Sequence, residues 1–251
     1  AEEAQAEETT QEVETEVMEE TEDEGPHVPE DAMTYEEYVA AEVDSEVVIR
    51  GAIQAKQAYY AQEDQGSANV YLQDENGGAY FLYNLPCTEK EYELMEIGKT
   101  IKVKGYKSEW SGEIEIVDAT IEILEGSYIV EEAFDATALL GTADLETYIN
   151  SLVAFKGLTV AASTDANGNE VAFLYKWDGS GSQGDDIYFN VTDGTNTYTF
   201  TINAYMVGYG AGSDVYAAAE ALNVGDVIDV EGFLYWYNGA QPHCTSIVVA
   251  E

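Results

Sequence analysis

The sequence is poor in basic residues. Its 251 residues include only 9 Lys and Arg against 50 Asp and Glu, and the formal net charge is −41 at pH 7. Proteins that bind nucleic acids draw much of their affinity from Lys and Arg, which release counterions from the phosphates. A surface this acidic is expected to repel DNA, RNA and anionic membranes, and to attract calcium or basic proteins or simply keep the chain soluble. We therefore predict that nucleic acid is not a partner.

Cysteine and histidine are also scarce. Cys87 and Cys244 are too few for a disulfide framework or a tetrahedral cysteine zinc site, and we expect two buried, unbonded thiols. A disulfide between them, which would join two domains, is the alternative. His27 and His243 lie far apart in the sequence, which makes a histidine-based metal or acid–base site unexpected. No Ser/His/Asp order, nucleotide-binding glycine loop or CxxC motif occurs. The sequence therefore predicts no enzymatic activity and no cofactor.

Long apolar runs are missing, since none approaches the ~20 residues that a membrane helix needs. Residues 1–32 are rich in Glu and Thr and lack aromatic residues. They cannot bury enough apolar surface to fold, so we predict a disordered acidic tether. The chain begins at Ala1, and such a leader commonly follows a cleaved signal peptide or a lipidated cysteine. We expect an extracellular protein, secreted or anchored at the cell surface by a lipid upstream of Ala1; a cytosolic protein with a trimmed tag is the alternative.

An internal repeat organises the remainder of the chain. The first copy contains VIRGAI (48–53), NVYLQDENGG (69–78), AYFLYNL (79–85) and GKTIKVKGYKSEWSG (98–112). The second copy contains AFKGLT (154–159), DIYFNVTDGT (186–195), NTYTFTI (196–202) and GDVIDVEGFLYWYNG (225–239). Apolar residues alternate with polar ones along these segments, which indicates β-strands.

Each copy also contains a predicted short helix between its third and fourth strands. Residues 88–98 begin with Thr and end at Gly, and residues 213–225 begin with Ser and end at Gly. Five strands with a helix in this place are typical of the OB fold. We therefore predict an all-β protein with short helices, formed by two tandem five-stranded OB-type Greek-key barrels over residues 33–126 and 127–251.

The run from VIRGAI to the end of the first copy resembles the OB-fold repeats of secreted and lipid-anchored surface proteins of Gram-positive, gut Firmicutes-like bacteria. It is also similar in layout to OB-like domains attached to extracellular nucleases. The resemblance implies the fold and a surface location, and it transfers no catalytic residue. It selects no ligand, because OB folds serve nucleic acids, sugars and proteins alike.

Aromatic residues are the candidate binding groups. Rings exposed on an OB face stack on bases or sugars, and acidic surroundings favour neutral sugars. The candidates lie in the loops between first and second strands or towards the end of the fourth strand. They are Trp236, Trp177, Tyr59, Tyr60 and Trp110. Packing between the two barrels and simple anchoring of loops are the alternatives.

The orientation of the fourth strand decides which of these rings face outward. We predict one long strand over 225–239, with a possible bulge at Gly232. In the first copy Lys107 and Glu109 cannot both lie in a core, so the face of Tyr106 is expected to point inward. The same parity predicts an exposed or interfacial Trp236 and largely buried Phe233 and Tyr235.

A calcium loop is a weak further candidate. Asp165, Asn167 and Asn169 alternate as oxygen ligands do in calcium loops, and Asp185 with Asp186 stands at the far end of the same insertion. The terminal bidentate Glu of a full calcium loop is missing. An ordinary turn with a solvated acidic edge is the alternative.

The function predicted from the sequence is therefore a non-enzymatic module at the cell surface that binds a neutral carbohydrate or a protein. A structural spacer without a small ligand is the second possibility. Nucleic-acid binding by analogy with other OB folds is the third, and the charge opposes it.

Overall fold

The computed structural model describes residues 32–63 and 65–250. Apart from Ala32, the predicted acidic tether of residues 1–32 lies outside the described residues. Among the described helices, none combines the length and the apolar character that crossing a membrane requires.

The first copy forms a closed barrel. Its strands are β1 (Glu46–Lys56), β2 (Gly66–Gln73), β3 (Ala79–Cys87), β4 (Lys99–Trp110) and β5 (Glu113–Ser127). They close in the order β1-β2-β3-β5-β4, where β3 and β5 meet in parallel and the other neighbours are antiparallel. Helix α1 (Tyr35–Ala40) precedes the barrel, and α2 (Glu89–Leu94) connects β3 to β4.

The second copy repeats this order with additional short strands. Its elements are β6 (Phe134–Asp135), β7 (Leu152–Ala161), β8 (Ser163–Thr164), β9 (Glu170–Val171), β10 (Phe173–Tyr175), β11 (Ile187–Thr192), β12 (Thr197–Ile202), α3 (Asp214–Glu220), β13 (Val227–Phe233) and β14 (His243–Val249). Strands β7-β11-β12-β14-β13 close a second five-stranded barrel through the β11–β7 and β13–β7 pairings. Two 3-10 helices, Thr137–Leu139 and Ala143–Tyr148, precede β7. The predicted fold class is confirmed.

The short helices begin where their sequence signals place them. Thr34 accepts a hydrogen bond from the Glu37 N–H while the Glu37 carboxylate accepts one from the Thr34 N–H. Thr88 and Glu91 form the same capping box at α2. Each box satisfies two backbone donors that the first turn of a helix leaves unpaired.

Each barrel has its own apolar core, and a third cluster joins the two barrels. The joint consists of Ala55, Tyr71, Phe81, Met206 and Phe233, with Leu152, Tyr209 and Tyr235 packed against it. Cys87 and Cys244 are both buried and unbonded, which confirms the prediction for the thiols.

The predicted orientation of β4 is wrong, because Lys107 is buried and Tyr106 is exposed. The Lys107 Nζ donates to the carbonyl oxygens of Tyr38, Val39 and Ala41 at 3.0, 2.9 and 2.8 Å. These carbonyls lie at the C-terminal end of α1, where a helix leaves acceptors unpaired and favours a cation. A lysine can therefore replace an apolar residue on the inner side of this strand.

The predicted length of the second barrel's fourth strand is also wrong, because β13 ends at Phe233. Its pairing with β14 shifts register between Glu231 and Gly232. A Cβ at Gly232 would lie 2.5 Å from the His243 carbonyl oxygen, so this close approach requires glycine. Beyond the shift, Leu234 enters the core of the second barrel while Phe233 packs in the joint.

Trp236 occupies the interfacial position that the sequence predicts. Its ring is half-buried and lies over Gly112 of the first barrel, where a side chain at residue 112 would collide with the indole. Phe233 is buried, as predicted, and Tyr235 is half-buried.

Replacing Lys107 with methionine tests the interaction with α1. We expect the free energy of unfolding to fall by about 2 kcal/mol, because three carbonyls lose a charged donor. Urea unfolding measures the change. Lys104→Met is the matched control: this lysine lies on the same strand, is exposed, and forms only a 3.0 Å surface ion pair with Glu46, so its loss is expected to cost less than about 0.5 kcal/mol. Equal losses in the two variants would contradict the role given to Lys107.

Candidate ligand-binding cleft between the barrels

The two barrels enclose a cleft of about 570 Å³, which we call the inter-barrel cleft. Aromatic residues from both barrels line it: Phe81, Tyr83, Trp110, Trp177, Tyr188, Tyr235 and Tyr237. The other lining residues are Gln57, Asn69, Asp186, Thr201, Asn203, Gln241 and His243. The cleft is therefore formed mainly by rings, amides and hydroxyl groups.

Strands and loops of both barrels supply these side chains. Strand β3 presents Phe81 and Tyr83, and β11 presents Tyr188. Trp177 lies in the loop between the first and second barrel strands of the second copy, and Tyr237 in the loop between its fourth and fifth strands. The second and third strands and these two loops form the surface with which OB folds hold oligonucleotides and oligosaccharides.

An aromatic stack lies next to the cleft and lines it through Tyr235 and His243. The Tyr71 ring lies parallel to Phe233 with centroids 4.7 Å apart, and the Tyr71 hydroxyl is 2.8 Å from His243 Nδ1. The His243 ring in turn stacks on Tyr235 at 4.6 Å. Burial lowers the pKa of His243 to about 4, so this imidazole is neutral at pH 7. Its neutral nitrogen can bond the tyrosine hydroxyl without an added charge.

The rim of the cleft carries exposed rings. Trp110 is 61% exposed and Trp177 is 76% exposed, and Tyr83 and Tyr237 are also exposed. Trp110 lies at the end of β4 and Trp177 in the second barrel, so the fold brings together two predicted site residues that are far apart in the sequence. Several exposed rings around one concavity are typical of a ligand-binding surface.

The lining of the cleft contains few charged groups. No Lys or Arg is among its described lining residues, and Asp186 is its one carboxyl group. The Asp186 Oδ1 accepts a hydrogen bond from the Ala204 N–H at 2.7 Å. Burial raises the pKa of this carboxyl above its ordinary value.

Tyr59 and Tyr60 lie beside the cleft rather than in it. They line a neighbouring groove of about 480 Å³ that shares Gln57, Asn69 and Tyr83 with the cleft. The Tyr59 ring packs against Tyr92 with centroids 5.6 Å apart, whereas Tyr60 is exposed. Tyr59 therefore anchors its loop, and Tyr60 extends the aromatic surface beyond the cleft.

Trp236 is separated from the other predicted site residues. It lines a different groove, of about 510 Å³, next to the 3-10 helix Ala143–Tyr148. Its backbone N–H donates to Glu113 Oε2 at 2.7 Å, so this segment is fixed to the first barrel. The Trp236 ring packs between the core of its own barrel and Gly112 of the first barrel, which is the inter-barrel packing already noted as the alternative for this ring.

The calcium candidates use their oxygen atoms within turns. Asp165 Oδ1 accepts the N–H groups of Asn167 and Asn169 at 2.8 Å, and its Oδ2 accepts the Asn169 side-chain amide at 3.0 Å. Asp185 Oδ2 accepts the Ser182 N–H, and Asp186 binds Ala204 as described above. In the part of the chain that the structure describes, no three His, Cys, Asp or Glu side chains form a group that could hold a metal ion. The geometry matches the ordinary turn.

One buried carboxyl at the edge of the joint escaped the sequence analysis. Glu113, the first residue of β5, is 0% exposed. Burial raises the pKa of Glu113 to about 8, against the opposing effects of the Trp236 N–H and the Asn150 side chain. The close approach of Gly112 to the Trp236 ring marks this region in the structure. Because that contact exists only between docked barrels, the sequence alone does not reveal the burial of Glu113.

Comparisons with known proteins found similar proteins only among solved structures. No protein-family model and no curated protein matches the chain. A murine DNA-binding protein bound to double-stranded DNA is 12% identical, with 81% of this chain and 96% of that chain covered and a TM-score of 0.36. A replication protein A heterotrimer bound to ssDNA is 12% identical, with 90% and 70% covered and a TM-score of 0.30. The single-stranded DNA-binding protein of Thermus aquaticus is 16% identical, with 84% and 95% covered and a TM-score of 0.25.

These findings correct two predictions. Similarity this remote does not show which ligand the chain binds. The similar structures are, however, of DNA-binding proteins, which contradicts the prediction that nucleic acid is not a partner. The predicted extracellular module for a carbohydrate or a protein has no counterpart among them and is not retained. The resemblance to Gram-positive surface repeats holds for the OB fold and not for the surface protein. The extracellular location and the absence of enzymatic activity stay predictions.

Glu113→Gln tests the buried carboxyl. Folding raises the pKa of Glu113 from 4.5 to about 8, so between these values the folded chain holds a proton that the unfolded chain has lost. The free energy of unfolding therefore falls as the pH rises through this window, and the glutamine variant should lack that part of the fall. Urea unfolding of both proteins at pH 5, 7 and 9 measures it. Glu109→Gln, at an exposed position on β4, is the control and should follow the parent; a parental slope in Glu113→Gln would contradict the assignment.

Proposed function

We propose that the chain is a non-catalytic binding protein whose inter-barrel cleft takes unpaired nucleobases, presented as nucleosides or in a single strand of nucleic acid. One observation carries the proposal: rings from both barrels surround a single cleft on the second- and third-strand faces. Stacking of a base on an aromatic side chain is worth about 1–3 kcal/mol in OB-fold proteins and tolerates any base.

The shape of the cleft supports a flat ligand. Trp110 and Trp177 present large exposed faces, while the Tyr235–His243 stack below them is already in place. A base can therefore stack without the ordering of a new floor, which reduces the entropic cost of binding. The half-buried amides of Gln57 and Gln241 both donate and accept hydrogen bonds, as base edges require.

Electrostatics limit how a nucleic acid would be held. The described lining residues include no Lys or Arg, and the chain carries a net charge of −41. Phosphates are repelled, so recognition would rest on bases rather than on the backbone. Added salt screens this repulsion, and a single strand should bind more tightly as the salt concentration rises. Ordinary nucleic-acid-binding proteins show the opposite dependence.

The chemistry of the lining supports a binding role without catalysis. Apart from its tyrosines, its ionisable groups are Asp186, which is engaged with a backbone N–H, and a neutral His243 engaged with Tyr71. Both groups therefore already have hydrogen-bond partners within the protein.

Tryptophan substitutions test the proposal with adenosine as the uncharged probe. Trp177→Ala and Trp110→Ala should each weaken adenosine binding at least about fivefold, because each removes one stacking face. Isothermal titration calorimetry measures the affinity. Tyr106→Ala is the matched control, since Tyr106 is an exposed ring outside the cleft. Absence of saturable adenosine binding to the parent chain, or equal effects of all three variants, would refute the proposal.

The salt dependence is a second, independent measurement. Binding of oligo(dA) should strengthen between about 50 mM and about 500 mM salt, while binding of adenosine should change little. An affinity that falls steeply with salt would show phosphate contacts at a basic surface and would contradict recognition through the bases.

A further inference from the structure

A buried carboxyl lies where the chain of the second barrel crosses the first. Residues 234–242, between β13 and β14, form this crossing segment. Glu113 is 0% exposed, and its Oε2 accepts the Trp236 N–H at 2.7 Å. Nearby, the Ser111 carbonyl accepts the Asn238 N–H at 2.8 Å. Two backbone donors therefore hold the crossing segment against the first barrel, and one of their acceptors can titrate.

The second oxygen of this carboxyl has no hydrogen-bond partner among the described residues. The same holds for Oδ1 of Asn150, whose side chain interacts with Glu113. Asn150 Nδ2 donates to the Ile114 carbonyl at 2.9 Å, which leaves Oδ1 as the acceptor of this amide. A buried polar atom without a partner costs about 1–3 kcal/mol. A proton on Glu113 supplies the donor that these two acceptors lack.

Burial and a like charge both disfavour the carboxylate form of Glu113. Burial, and after it repulsion from Glu115 two residues along β5, raise the pKa of Glu113 to about 8. The Trp236 N–H and the Asn150 side chain act in the opposite direction without cancelling these effects. Glu113 therefore carries a proton at pH 7.

The other titratable groups around Glu113 are neutral or already bonded. Three tyrosines face it from three further elements: Tyr38 of α1, Tyr71 of β2 and Tyr235 of the crossing segment. On β4 the Lys107 ammonium donates to three carbonyls of the α1 region, and on β14 His243 is neutral. Burial also raises the pKa of Glu115, so its titration has to be separated from that of Glu113.

We infer that the two barrels dock through the protonated form of Glu113, and that loss of this proton releases the crossing segment from the first barrel. The proton pairs Glu113 with Asn150, while the other carboxyl oxygen accepts the Trp236 N–H. Tyr235 and Tyr237 flank Trp236 and line the inter-barrel cleft, so the same proton controls the shape of the cleft. An effect of pH on ligand affinity would rest on the proposed function, whereas the effect on docking does not.

The direction of the pH dependence follows from proton linkage. When the crossing segment is released, Glu113 meets water and its pKa returns towards 4.5, so the open form loses a proton that the docked form keeps. Release therefore becomes more favourable as the pH rises from about 4.5 to about 8, and the effect levels off above this window. The equilibrium constant for release should rise at least about tenfold between pH 5.5 and pH 8.5.

Amide hydrogen exchange of the whole chain at pH 5.5, 7 and 8.5 tests the inference, with rates corrected for the intrinsic effect of pH. Protection of the Trp236 and Asn238 amides should fall at least about tenfold over this range. At each pH it should also be lower than the protection of β11, because release leaves the core of the second barrel folded. Equal protection at these amides and in β11 would show that the barrels separate only by global unfolding, and would overturn the inference.

Two substitutions identify the titrating group. Glu113→Gln keeps a donor and an acceptor but has no proton to lose, so Trp236 protection should become independent of pH. Glu115→Gln removes the repelling charge and leaves Glu113 in place, so the fall should persist with its midpoint at lower pH. A fall that persists in Glu113→Gln, or that disappears only in Glu115→Gln, would contradict the role given to Glu113.

Infrared spectroscopy of the parent chain provides a test that does not depend on the folding of a variant. A protonated carboxyl has a carbonyl stretching band separate from the bands of carboxylates. This band should be present at pH 6 and should disappear with a midpoint near pH 8. Its absence at pH 6, or its survival unchanged in a folded Glu113→Gln variant, would overturn the inference. None of these measurements requires adenosine to bind.

Discussion

The stack of Phe233 on Tyr71 is the contact on which the rest of the arrangement depends. It joins the last residue of β13 in the second barrel to β2 of the first, and the Tyr71 hydroxyl adds the bond to His243. Both rings are almost completely buried, so nearly all of their apolar surface is removed from water. The stack therefore stabilises the position of one barrel relative to the other. The segment after Phe233 then passes along the first barrel, where it places Tyr235 and Tyr237 in the cleft and Trp236 over Gly112.

Much of the fold could be predicted because its signals are local. The repeated strand pattern and the capping Thr and Ser residues each act within a few residues, and the structure retains them. The inward side of β4 could not be predicted, because the partners of Lys107 are carbonyls of a helix about 66–69 residues earlier in the chain. A rule that charged residues face solvent fails where a helix end supplies three acceptors.

The sequence predicted that aromatic side chains form the candidate site, but not which of them lie together. Trp110 and Trp177 were recognisable as surplus rings, but only docking of the barrels places them around one cleft. Trp236 looked equivalent to them in the sequence and instead packs between its own barrel and the first, because β13 ends at Phe233 and the chain turns towards the first barrel. Glu113 remained hidden for the same reason: its burial is created by the contact between copies, which leaves no periodic trace in either copy.

The net charge of −41 describes the whole chain, whereas binding depends on the groups within a few ångströms of the ligand. The lining of the inter-barrel cleft is nearly uncharged, so the acidic composition excludes phosphate anchoring without excluding a stacked ring. The inter-barrel cleft draws residues from both copies of the repeat. A ligand in it would therefore stabilise the docked pair of barrels by mass action, and the joint that contains Tyr71 and Phe233 would gain stability from occupancy.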